Sequence, residues 1–318
     1  MHLGGNMLKS TDASRGKFRG PTAWLLIVAL STGTAVAERA PSKSRSNPKR
    51  SETPAESADT DAKPNITVRT LEQASSSREI KEAALRGIPT DKLTESQQDT
   101  VDHILTSLSL FRRLPTLQCE IAPSAYQLFV EHPDLAVGLW RAMGISKLQL
   151  TEKSAGRYSL DTCDGTVGSL TVLHRDERHC LVLCEGSFKS PLLVKPIVAD
   201  ALFNLETKWV QDKAGTVSAI HRGDLFVSFP SQTVETVAKV ISPMSNRVLD
   251  KNFEEVSIFA RMMHVGMTHQ PGWVEQTAAK LEGVPTEQSD SLLRVTAKVY
   301  SQHQKRTADA QPAGSETR

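Results

Sequence analysis

The stretch from Ile145 to Phe229 constrains the fold most, because it reads as one extended segment after another, joined by turns too short to hold a helix. "SKLQLTE" and "GRYSLDT" flank a Ser-Ala-Gly turn. "CDGT" carries an Asp164–Gly165 pair, which supplies the positive φ that a tight hairpin demands. "VGSLTVLH" turns through "RDER" into "HCLVLCEGSF", and "ADALFNLETKWV" turns through "QDKAG" into "TVSAIHRGDLFVSF". Parallel strands need crossover connections of about a dozen residues or more. These links are far shorter, so the segment is expected to be an antiparallel meander, and a βαβ fold is excluded. Phe203, Leu205, Thr207 and Trp209 share one strand face by the two-residue rule.

Helical patterns flank the meander. Val101, Ile104, Leu105, Leu108 and Phe111 recur at three- and four-residue steps behind a Thr94–Glu95 cap, which predicts a helix closed by "FRRLP". Thr116–Ile121 is a short strand candidate. Pro123–Gly144 reads as two short helices hinged near His132–Pro133, since proline disfavours helix at the residue before it. After the strands, Ser231 is expected to cap "QTVETVAKVIS". Beyond Pro243 a longer helix carries Val248, Phe253, Val256, Phe259, Ala260 and Met263 at helical spacing, and "PGWVEQTAAKL" adds a last turn or two. The fold class is therefore α+β, with a long helix C-terminal to the sheet.

The ends read differently. Lys9, Arg15, Lys17 and Arg19, set against Asp12 alone, precede the apolar run "AWLLIVAL" and an Ala35-Val36-Ala37 ending. A basic start, a short apolar core and an A-x-A site describe an export signal, with cleavage expected after Ala37. The apolar run is too short for a stable membrane span. The expected location is periplasmic or secreted; the alternative is anchoring by an uncleaved N-terminal segment. Those 37 residues hold +3 of a chain total of +2, so the remainder sits near −1. That balance gives no electrostatic footprint for nucleic acid. Residues 38–92 are rich in Ser, Pro and charge, and are expected to form a disordered linker. "NIT" at Asn65 matches a glycosylation acceptor only if the pathway is eukaryotic. Residues 93–283 form the expected domain, and 284–318 a mostly disordered tail.

The order of short strand, two small helices, antiparallel strands and long final helix resembles the helix-grip fold of the START-like (SRPBCC) superfamily over roughly Pro115–Met267. The stretches "LSLFRRLPT", "HPDLAVGLWRAMGIS" and "DKNFEEVSIFARM" also look like a group of uncharacterised exported proteins of planctomycete bacteria. The first resemblance implies a curved sheet wrapped around the closing helix, with a cavity between them for an apolar small molecule or lipid. Some members of that superfamily catalyse cyclisation or hydrolysis.

Cys180 and Cys184 lie four apart beside His179. On a strand they sit roughly 13 Å apart, and a disulfide needs Cα atoms within about 7 Å. "CLVLC" also has no glycine for the tight turn of a zinc ligand pair. Strand is the expected state. With two-residue turns, Cys163 would face Thr166, Cys180 would face Leu173 and Cys184 would face Ser169. Buried free thiols are favoured; a bridge from Cys119 to one of the others stays open, since an exported chain with four cysteines can oxidise them. His264 and His269 are five apart on a helix and do not form the i, i+4 zinc pair, so they are expected at the surface near a helix end. His174 and His179 face each other across the "RDER" hairpin. The "RGD" within His221–Asp224 reads as a chance match. No nucleophile elbow, phosphate loop or H-E-x-x-H motif occurs. No cofactor or metal is called for.

The candidate ligand-binding residues are Trp140 on the small helices, expected to roof a cavity mouth, with Trp209, His221 and Arg222 on the last two strands. A catalytic residue is not identified, and the oligomeric state stays open. The expected function is binding of an apolar or amphiphilic small molecule by an exported protein, in a pocket of several hundred Å³ against Val248–Met263. The alternatives are a cyclase- or hydrolase-like enzyme using the same cavity, and a structural or interaction protein of the cell envelope.

Overall fold

The computed structural model describes residues 66–163, 165–188, 196–213, 215–230 and 243–310. The expected signal segment with its site after Ala37, Asn65, and the cap at Ser231 lie outside them. Nine antiparallel strands form one curved open sheet, and a long helix follows it.

The meander is the body of the sheet. Strands β4 (Gln149–Ser154), β5 (Arg157–Asp161), β6 (Val167–Arg175), β7 (His179–Phe188), β8 (Ile197–Gln211) and β9 (Val217–Ser228) pair in sequence order. The far flank of β9 is shared by two short strands, β2 (Leu108–Arg113) and β3 (Thr116–Glu120). Arg113 aligns with Asp224 and Leu117 with His221, and the break falls at Leu114–Pro115, where proline has no N–H to give the ladder. Strand β1 (Arg69–Glu72) adds outside β3.

"CLVLC" is indeed strand. Cys180, Val182 and Cys184 point to one face, Leu181 and Leu183 to the other. The registers are displaced from those expected. The Asp176 N–H bonds to the His179 carbonyl, so the tight turn falls at Glu177–Arg178 and Cys180 aligns with Arg175. A slip between Val172 and His174 then sets Cys184 against Leu170. Thr162, and not Cys163, stands opposite Thr166. All four cysteines are free; Cys119, Cys180 and Cys184 are buried and Cys163 is exposed.

Both faces of the sheet are covered. The outer face carries Leu181, Leu183, Leu202 and Phe226, packed beneath α1 (Arg78–Arg86) and α2 (Glu95–Thr106). Thr94 and Gln97 form a reciprocal capping box at the start of α2. The helix stops at Thr106, short of the expected end. Leu108 and Phe111 continue its spacing, yet they lie in β2, where pairing with β9 holds them. Residues 66–92 are likewise not linker: Arg69 and Thr70 pair with β3, and Ala84 and Ile88 enter the outer core.

The inner face carries the larger core. Helices α3 (Pro123–Glu131) and α4 (Pro133–Ala142) hinge at His132, which ends one and starts the other. Helix α5 (Pro243–His269) lays Phe253, Phe259, Ala260 and Met263 against this core, and α6 (Pro271–Ala278) follows. Gly266 admits the Trp273 ring, since a Cβ there would lie 2.8 Å from Cζ3. Within the expected tail, Thr286–Ala310 is instead a helix, α7, with Leu292 and Val299 buried in the inner core, and residues 311–318 lie outside the described residues. Gln288 Nε2 donates to Asp134 Oδ2 at 3.0 Å and fastens α7 to α4. Burial raises the Asp134 carboxyl above the usual range.

Two ion pairs tie these elements, one within the sheet and one between the sheet and α5. Arg113 donates to both carboxylate oxygens of Asp224 at 2.6 and 2.7 Å on the outer face. Arg112 pairs with Asp250 and links β2 to α5. Among the described residues no helix is long and apolar enough to cross a membrane.

Candidate functional site

The inner core is not fully closed. An apolar cavity of about 70 Å³ lies between β8, β9 and α5, under α3 and α4. Phe203 and Leu205 come from β8, His221 from β9, Tyr126 and Phe129 from α3, Trp140 from α4, and Val256, Ser257, Phe259 and Ala260 from α5. The expected position, against Val248–Met263, is where the cavity lies. Its size is not the expected several hundred Å³. Phe129, Trp140 and Phe259 interlock at ring separations of 5.5 Å and fill much of the room.

Gly223 helps to shape this space. It lies on β9 next to Phe203, where a Cβ would come within 2.8 Å of the Phe203 Cζ. Glycine therefore allows the ring to lie across the strand.

The polar content of the wall is small and specific. His221 Nε2 lies 2.7 Å from Ser257 Oγ. Ser257 donates its one hydroxyl proton to the Phe253 carbonyl at 2.9 Å, so it accepts from the ring. That fixes the proton on Nε2 and leaves Nδ1 as an acceptor; Nδ1 is buried and has no hydrogen-bond partner. Trp140 Nε1, a donor, is also buried without a partner. Tyr126 Oη and Thr207 Oγ1 are 2.9 Å apart. Burial lowers the His221 pKa to about 4, so the ring is neutral at ordinary pH.

The four residues singled out in the sequence separate. His221 and Trp140 border the same cavity. Trp140 is a wall, fully buried, and does not roof a mouth. Trp209 stands beside it, edge-on to Tyr126 at 5.5 Å. Arg222 points to the opposite face by strand alternation and pairs with Glu206 at 2.6 Å. Tyr126 and Ser257 were not indicated by the sequence. Their spacing marks only a helix face, and they meet His221 only through the fold.

The remaining candidates are placed as follows. Asp224 of the "RGD" is buried in its pair with Arg113. His174 Nε2 lies 3.0 Å from Asp176 Oδ2, and His179 Nδ1 lies 3.5 Å from Oδ1. Burial opposes ionisation of Asp176, but the His174 bond and the backbone N–H groups of Arg178 and His179 outweigh it and hold its pKa well below the usual range. Burial pushes the Cys119 and Cys184 thiols up to about 12 and Cys180 to about 11, so none of these is a ready nucleophile. His264 is buried, not at the surface. The Ala122 N–H donates to its Nδ1 at 3.4 Å, and its Nε2 lies 3.8 Å from Glu120. His269 is exposed.

Compared with known proteins, the chain matches no family model and no curated sequence.

Proposed function

We propose that this is an exported ligand-binding protein of the START-like kind, which takes a small, largely apolar molecule between the sheet and α5. The apolar cavity at the sheet–helix junction carries the reading. An empty space of that size costs about 1.7 kcal/mol at 24 cal/mol per Å³, and a guest recovers it. The unpaired Trp140 Nε1 and His221 Nδ1 in its wall favour a guest with one polar group. A lipid needs several times this volume, so the guest is small. Export rests on the N-terminal segment alone.

The enzyme reading is weaker on a specific observation. A serine–histidine pair needs the serine proton on the histidine and a third group on the far nitrogen. Here the Ser257 proton is committed to a helix carbonyl, and His221 Nδ1 has no partner.

Xenon is the appropriate probe, since it enters apolar cavities. Diffraction from crystals under xenon pressure should show an atom bordered by Phe129, Trp140 and His221, and Ala260→Leu should exclude it without loss of folding. Native mass spectrometry of protein from its own host should show a small adduct that the same variant lacks. Absence of both xenon and adduct from the parent protein would sink the proposal.

A further inference from the structure

A second concavity lies away from the apolar cavity, where the end of β3 meets α5 and α7. It consists of two adjoining depressions of about 350 and 300 Å³, which share Glu120, His264 and Arg306. Lys305 belongs to the first; Arg261, His269 and His303 belong to the second. The combined space is of the order of a small-molecule site, and polar side chains dominate the second depression.

Its charge is unbalanced. Glu120 is the one carboxylate among the lining residues, and Arg261 occupies it at 2.8 Å. His264, whose Nε2 lies 3.8 Å away, outweighs burial and holds Glu120 below the usual carboxylate range, with Arg261 assisting. Lys305 and Arg306 are then left over. Among the described residues no carboxylate lies within ion-pair distance of Arg306, whose Nε makes only a long bond to the Gln302 carbonyl at 3.5 Å. His269 and His303 stack edge to face at 4.8 Å on the same wall.

We propose that this cleft is a binding site for a small dianion, whose oxygens pair with Arg306 and Lys305 and with ring N–H groups of His269 and His303. The shared chemistry is that of a phosphate group or a dicarboxylate. Arginine and lysine supply the charge, and the fork of Arg306 suits either oxyanion. Binding there also takes up protons. Burial, with His269, Arg306 and His264 close by, lowers the His303 pKa, while Glu120 acts the other way. An added anion acts against that lowering and draws a proton onto the His303 ring. His269 closes α5 and Arg306 lies near the end of α7, so both also oppose the negative ends of helix dipoles. That role alone predicts no ligand.

Calorimetric titration of the full chain with inorganic phosphate and, separately, with succinate distinguishes these cases at low ionic strength. The expected result is saturable binding of at least one probe with a Kd below about 1 mM. Arg306→Ala should weaken it at least tenfold at unchanged melting temperature. The heat should vary with the ionisation enthalpy of the buffer, and His303→Gln should remove that variation. A response to phosphate alone assigns a phosphoryl group; a response to succinate alone assigns a dicarboxylate. Saturation by neither probe, or equal affinity in Arg306→Ala, overturns the proposal.

Discussion

His221 stands where a charge is expensive, between the rings of Tyr126 and Phe253 at 5.7 and 5.4 Å, with one hydroxyl as its polar contact. Its pKa, about 4 in the fold against about 6.5 in an unfolded chain, makes it a stability element with a defined sign. Between those values the unfolded chain binds the proton and the folded one does not. This contribution is complete above pH 6.5 and is lost as pH falls, by about 3 kcal/mol at pH 4. Urea denaturation of the parent and of His221→Gln at pH 7 and pH 4.5 measures it. The parent should lose more stability than the variant across that interval. Equal losses would mean that the ring is charged or solvated in the fold. Ser257 works with His221 at this scale. By spending its proton on the Phe253 carbonyl it sets the tautomer of the ring, and so determines that the orphan atom is an acceptor.

At the scale of elements, β9 organises the molecule, with β8 on one flank and β2 and β3 on the other. Its Asp224 holds Arg113 across the β2 pairing, with both side chains largely withdrawn from water. Removing one partner leaves the other charge buried, so Asp224→Asn should cost about 3–5 kcal/mol in denaturant unfolding. The Asp224→Leu, Arg113→Leu double variant should recover most of that loss. A cost under about 1 kcal/mol for the single change would show that the pair is solvated.

The same elements show what the sequence made legible. The meander was readable because Asp164–Gly165, Asp176–Glu177 and the "QDKAG" turn separate apolar strands. The His132–Pro133 hinge was readable because proline acts locally. Strand β2 was not, since Leu108 and Phe111 fall in step with Ile104 and Leu105, and only pairing with β9 breaks the helical period. Helix α7 was hidden for another reason. Its buried stripe of Gln288, Leu292, Thr296 and Val299 is half polar, so apolar spacing does not reveal it. Helix α1 buries Ala84 alone among its residues and left a similarly faint trace. At the site, His221 and Trp140 stood out by residue type, whereas Tyr126 and Ser257 depended on crossings between layers.

The whole molecule is a sheet clothed on both faces, which is why "CLVLC" and "DLFVSF" run apolar without alternation. The inner layer includes α7, so the last part of the chain is structural. Truncation after Gly283 removes Leu292 and Val299, each worth about 1.5–3 kcal/mol of burial. The shortened protein should lose on the order of 4 kcal/mol and unfold at distinctly lower urea. Unchanged stability would show that α7 is a passenger.

The placement of β9 also governs the order in which the protein can be made. Strands β2 and β3 leave the ribosome about a hundred residues before the partner they flank, and a long loop must close before either is paired. The early half of a nascent chain therefore has no finished sheet to settle into. On the export route proposed above, a translocation channel that accepts only unfolded polypeptide would receive it still open, and the molecule would close on the far side.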